Sequence, residues 1–308
     1  MTQHYIMSHS NLNKLYHDAN VQVNHLYQWF CSNRLSLNSN KTKYILLRPK
    51  HMREILSSYS IQIGNTILDR IGNDCKEQST KFLGMHIDEN LTWKQHIAAV
   101  KRKVSSALFF IRQVKHVLPP DSLRTLYFAL IHPHLTYGIT VWGNADQNVI
   151  RPLMLVQKRA IRIINNASYF SHTGPKFKKS GILKLHDLFV YQSLLFVHDY
   201  LSNKLPNSFN GCFPTNRDMP SSRTTRQSSL LHVPKYPLKF SQRQPIGFLP
   251  SLWNKWTKLI PETVSRSQAK KIIKTTLLQD YPDVVRCENT RCYECHFNVN
   301  RIQSASVV

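Results

Sequence analysis

Between Trp93 and Leu118 one apolar stripe persists through several helical turns, formed by Trp93, Ile97, Val100, Val104, Ala107, Leu108, Ile111 and Leu118, before Pro119-Pro120 interrupts it. A 3.6-residue period held this long predicts an amphipathic helix that needs a partner surface. Asp121 is positioned to cap a second helix carrying Leu123, Leu126, Tyr127, Leu130 and Ile131, which Pro133 should end or kink. Further helices are expected over about 149–165, with Leu153, Val156, Ala160 and Ile163 inward, and over about 183–201. Leu135 to Gly143 has strand propensity in helical surroundings, and both readings stay open.

The first 90 residues are of a different kind. Leu12, Leu15, Tyr16, Ala19, Val23, Leu26 and Tyr27 recur at helical spacing behind Ser10 or Asn11 as a cap. Lys43 to Arg48 and Ile61 to Leu68 are rich in branched residues and predict short strands. Eight of the fifteen prolines fall between Pro206 and Pro261, predicting a linker or an irregular extended arm, and a last helix is expected over Ser267 to Gln279. The fold class expected is α+β, mainly helical. Its divisions are an α+β segment at 1–90, a helical domain at 91–205, a Pro/Ser-rich arm at 206–250 and a short helical region with a Cys-containing tail at 251–308.

Forty-one Lys and Arg stand against seventeen Asp and Glu, a formal charge of +24 spread along the whole chain. That field favours a polyanion, nucleic acid or an anionic membrane surface. No run approaches the roughly 18 apolar residues of a membrane span, so no membrane helix is expected. Met1 to Ser10 lacks a basic lead and an apolar core, which argues against secretion and for an intracellular, nuclear or cytoplasmic protein. The six cysteines then read as reduced thiols.

Several short motifs follow one another in order. Trp29, Asn33, Leu35, Leu37, Asn38, Lys41 and Thr42 fit W-x-x-x-N-x-L-x-L-N-x-x-K-T. Lys81-Phe82-Leu83-Gly84 precedes Ile87-Asp88, Leu91, Trp93, His96 and Ile97. Tyr127, Leu130-Ile131, Pro133, Leu135, Tyr137-Gly138, Val141-Trp142-Gly143 and Gln157-Lys158-Arg159-Ala160-x-Arg162 continue the series, and Leu252-Trp253-Asn254 with Pro261 closes it. This series resembles the downstream half of non-LTR retrotransposon reverse transcriptases of the jockey-like type. The resemblance implies the end of a polymerase palm, a helical thumb and a C-terminal region. It also implies a primer-grip hairpin at Phe82, Leu83 and Gly84, and a place for Lys41 near the incoming triphosphate, as a phosphate contact or general acid. Lys41 reads equally as a solvated lysine in a basic turn, and Phe82 as the buried residue of an ordinary β-turn.

Polymerases of this family hold two divalent ions, Mg²⁺ in the intact enzyme, on an aspartate pair. Residues 1–17 contain no acid, and the first, Asp18, sits within the predicted helix. Asp88-Glu89 read as acids at a helix entry, and Asp69, Asp74 and Glu77 as loop residues without a telling spacing. The expectation is a partial polymerase that binds RNA or an RNA–DNA duplex and does not polymerise alone. A domesticated nucleic-acid- or protein-binding scaffold, or the product of a decayed element, would carry the same features. Nothing in the sequence sets the oligomeric state.

Lys94, Lys101, Arg112 and Lys115 fall within about 60° at the usual 100° per residue, a basic ridge beside the apolar stripe. Arg151, Lys158 and Arg162 form a second line. Either is by itself an ordinary solvated face; two together, with few acids, predict phosphate-backbone contacts. Cys287, Cys292, Cys295 and His296 offer four zinc-type ligands, but adjacent Cys295 and His296 strain a single site, and free thiols are the leading reading. No cofactor is expected on the chain alone.

Overall fold

The computed structural model describes residues 4–50, 58–219, 227–261 and 263–281. The chain divides into two compact units, Met1–His96 and Ile97–Val308.

In the first unit α1 (Leu12–Ser32) opens on Asn11, whose side chain accepts the Lys14 amide. Three short strand pairs follow. β1 (Lys43–Ile45) runs parallel to β4 (Asp69–Ile71), with Lys43 opposite Asp69 and Ile45 opposite Ile71. β2 (Gln62–Ile63) and β3 (Thr66–Ile67) form a hairpin, as do β5 (Ser79–Phe82) and β6 (Met85–Asp88). Tyr16 and Ala19 of α1 bury against Ile61, Ile63 and Leu68, with Leu37, Tyr44 and Tyr59 beside them. Asn20 ties helix to strand: it donates to Ser60 O at 3.0 Å and accepts from Gln62 N at 2.8 Å. Asp69 therefore lies in a strand, where the sequence suggested a loop.

The long stripe forms α2 (Lys94–Val114), burying Ile97, Val100, Val104 and Ile111. It ends four residues before Leu118, whose amide bonds to Val114 O. Next come α3 (Pro120–Leu130), α4 (His132–Thr136) and α5 (Ile139–Trp142). Pro119 is the N-cap of α3 and Asp121 lies in its first turn, which corrects the expected cap; Pro120 at N1 needs no partner for a missing amide. The open segment Leu135–Gly143 forms no strand: it is the end of α4 and the short α5, separated by a turn at Tyr137-Gly138. Leu135, Ile139 and Trp142 are fully buried, and α4 and α5 pack against α8 (Leu185–Leu201), so packing overrides strand propensity.

Helix α8 is apolar almost all round and forms the centre of the second unit. Between α5 and α8 lie α6 (Gln147–Ile164) and α7 (Gly174–Ser180). Beyond α8 come α9 (Lys239–Gln242), α10 (Pro245–Trp256) and α11 (Arg266–Gln279), and α10 and α11 pack on α8. The proline-rich arm is thus partly structured: Phe213 and Leu231 are buried, and α10 crosses the boundary expected at residue 250. Pro245 sits at the start of α10, where its missing amide costs nothing. Gly247 leaves room for the preceding segment, because a Cβ there would stand 2.4 Å from Ser241 O.

Candidate nucleic-acid interface

The resemblance-bearing residues separate into those that build the scaffold and those that face solvent. Gln157 is buried, donates to Tyr127 Oη and Leu183 O, both at 3.0 Å, and accepts from Leu185 N at 2.8 Å. One amide thereby fastens α6 to α3 and to the start of α8. Burial pushes the Tyr127 hydroxyl well above the usual tyrosine range, and the Gln157 bond only partly opposes this. Trp142 donates to Tyr137 O at 2.8 Å across Gly138, which has φ 61°. Asn254 accepts from Leu231 N at 3.0 Å and donates to Leu231 O at 2.8 Å, as a neighbouring strand would. Asn33 closes α1 by donating to Trp29 O, and Asn38 caps the short turn Ser39–Lys41.

The two acids nearest the hairpin are structural. Asp88 is buried and accepts from the amides of Asn90, Thr92 and Trp93 and from the Thr92 hydroxyl, at 2.9 to 3.2 Å. These bonds hold Leu91 and Trp93 at positive φ, 49° and 63°. Glu89, also buried, pairs with Arg48, lies 3.7 Å from Arg70 Nη1 and accepts the Asn73 amide at 3.0 Å. Asp74 pairs with Arg70 and Glu77 with Lys43. Carboxylates so engaged do not fit a two-Mg²⁺ site, and no group of three or more His, Cys, Asp or Glu able to hold a metal occurs among the described residues. Cys287, Cys292, Cys295 and His296 lie outside the described residues.

β5 and β6 join in a tight hairpin. Phe82 pairs with Met85 across Leu83-Gly84, both at positive φ (45° and 82°), the two-residue geometry that matches strand twist. Phe82 is partly buried and meets His4 edge to face, while Leu83 is 69% exposed. Lys41 is exposed, with its amide bonded to Asn38.

Of the first predicted ridge, Lys94, Lys101 and Arg112 are exposed on α2; Lys115 lies just past the helix and is half-buried. Arg102 and Lys103 add exposed cations, and no acid occurs in the helix. Phe109 and Phe110 are also exposed on it. Sequence reasoning missed this pair, because aromatic residues in a helical stretch read as core until burial is known.

The second ridge does not present itself as one. Arg151 is exposed, but Lys158 is only 8% exposed. Arg162 is half-buried and donates from Nε to Ser171 O at 2.9 Å. Arg162 thereby bonds to the chain that follows α6.

The chain is basic and largely helical; α2 carries exposed cations, and within the first unit a positive-φ hairpin lies beside carboxylates committed to scaffold. Set beside known proteins, the chain is similar to non-LTR retrotransposon RNA-directed DNA polymerases. It is 26% identical over 141 residues to the Drosophila melanogaster "Probable RNA-directed DNA polymerase from transposon BS", covering 44% of this chain and 14% of that protein. Against the "Probable RNA-directed DNA polymerase from transposon X-element" of the same fly it is 22% identical over 157 residues, 48% and 17% of the two chains. Against the RNA-directed DNA polymerase from mobile element jockey it is 26% identical over 114 residues, 36% and 12%. The matched stretches thus span less than a fifth of these relatives. No family model and no solved structure matches the chain. No described helix is long and apolar enough to cross a membrane.

Proposed function

We propose that this chain forms the end of a reverse-transcriptase palm (1–90) and a thumb-like domain (91–205), followed by an arm (206–250) and a C-terminal region (251–308), and that it grips a primer–template duplex without carrying the catalytic carboxylates. The observation that supports this reading is α2: five exposed cations, no acid and two exposed aromatics on one helix. Phosphate contacts from such a face give affinity and orientation without base readout. Partners of this class are RNA or an RNA–DNA duplex.

The Phe82–Met85 hairpin supports the same reading. Leu83 combines two locally unfavourable choices, a branched apolar side chain in water and a positive φ. A primer end resting on the turn would use that apolar tip, and Gly84 permits close backbone approach. Lys41 stands ready for a phosphate contact in an assembled polymerase.

The test is binding of the full chain to a labelled RNA–DNA duplex. Lys101→Gln/Arg102→Gln/Arg112→Gln should weaken binding at least tenfold at low salt while melting as wild type does; equal affinity rejects the reading. Incorporation of nucleotides by the purified chain with Mg²⁺ or Mn²⁺ would overturn its non-catalytic part.

A further inference from the structure

After α6 the chain makes a tight turn before α7. The Ser171 amide donates to Ser168 O at 3.2 Å, closing a β-turn whose two central residues are Tyr169 and Phe170. They are 63% and 83% exposed. Turn centres project into water and ordinarily carry Gly, Asn, Asp or Pro, so two adjacent aromatics here place a large apolar surface where the fold gains nothing from it.

The turn is fastened in place. Ser171 Oγ donates to Ser168 O at 2.8 Å, and Arg162 Nε donates to Ser171 O at 2.9 Å. The Arg162 guanidinium lies 5.9 Å from the centre of the Tyr169 ring, and the Tyr169 and Phe170 rings meet edge to face at 5.2 Å. Tyr169 is backed from two sides, and Phe170 keeps most of its ring in solvent. The surroundings are basic: Arg159 is exposed near the end of α6, Lys176 is half-buried and Lys179 exposed on α7, and no Asp or Glu occurs between Asp146 and Asp187.

We infer that this turn binds single-stranded nucleic acid, with Phe170 stacking on an unpaired base, Tyr169 and Arg162 holding it in position, and Arg159, Lys176 and Lys179 meeting the flanking phosphates. Charge complementarity selects a polyanion. A ring on a short fixed turn offers one flat contact rather than the broad apolar helix face that enters a membrane surface. A duplex keeps its base faces stacked, so an exposed ring finds a partner only where a base is unpaired. The choice of nucleic acid over lipid rests on the function proposed above; the location is independent of α2.

Binding of the full chain to a labelled oligouridylate and to a blunt RNA–DNA duplex tests this. Phe170→Ala should weaken oligouridylate binding by roughly tenfold, within the range known for a base–aromatic stack. Phe170→Trp should restore it, and neither should alter duplex affinity. If Lys101→Gln/Arg102→Gln/Arg112→Gln leaves duplex binding intact while the Phe170 dependence holds, the α2 reading fails and this inference stands. Equal oligouridylate affinity for wild type and Phe170→Ala would overturn it. So would no binding by the wild type, or a Phe170 dependence seen with phosphatidylserine vesicles and not with the oligonucleotide.

Discussion

Gln157 Nε2 donates to the hydroxyl oxygen of Tyr127 at 3.0 Å, with both side chains buried. The same Gln157 serves Leu183 O and Leu185 N, so three chain segments meet on one amide. Gln157→Leu keeps the volume but leaves three buried polar groups without that partner. At about 1–3 kcal/mol for each group left unsatisfied, thermal or urea unfolding should show a loss of at least roughly 3 kcal/mol. A variant as stable as wild type would remove Gln157 from the scaffold.

Glu89 pairs with Arg48, lies 3.7 Å from the Arg70 guanidinium and accepts the Asn73 amide. Glu89→Ala leaves two partly buried guanidinium groups short of their counter-charge, an arrangement that costs about 3–5 kcal/mol when one partner of a buried pair is removed. Gly72→Ala should injure the same place, since its Cβ would stand 2.6 Å from Glu89 Oε2. Loss of the cooperative unfolding of the first unit is the expected result. A carboxylate held there for catalysis would instead be removable with little effect on stability.

Leu83 tests a conflict between folding and binding. Its φ of 45° disfavours Leu and suits Asn. Leu83→Asn should therefore raise stability by up to about 1 kcal/mol and, if the turn supports a primer end, lower duplex affinity. Differential scanning and binding measured on the same preparation check both signs.

His132 makes stability depend on pH. Burial holds its imidazole below the ordinary range, and Lys274 adds to the effect. The unfolded chain takes up this proton near the ordinary value of about 6.5, the folded chain only at lower pH. Stability from this group is therefore complete above that value and is lost as pH falls through it toward the folded value. Unfolding measured from pH 7.5 to 5 should show a decline that His132→Phe lessens; an identical profile in the variant would assign the decline elsewhere.

How far these features could be read beforehand depended on what kind of signal carried them. Ile97, Val100, Val104 and Ile111 repeat at one period and fall inside as expected, whereas the hairpin at Leu83-Gly84 was implied by the family resemblance and not by strand propensity. Lys158 could not be placed, because a helical wheel gives its angle and says nothing of its burial in the folded chain. The bond of Arg162 to Ser171 was equally out of reach of the helical wheel, since that partner belongs to the next turn. Pro245 and Pro250 looked like loop, yet a proline at a helix start is compatible with the helix, and burial of Leu249 and Trp253 carries the rest. Phe109, Phe110, Tyr169 and Phe170 were invisible as surface, since composition cannot tell an aromatic in water from one in the core.

If the exposed cations of α2 hold a nucleic-acid backbone, as proposed, the salt dependence of RNA–DNA duplex binding measures the contact most directly. Each phosphate contact released as salt rises contributes about one to the slope of log affinity against log salt. The wild-type chain should give a steep negative slope, and Lys101→Gln, Arg102→Gln and Arg112→Gln should each reduce it by roughly one. A slope near zero, or one that all three substitutions leave unchanged, would contradict the account.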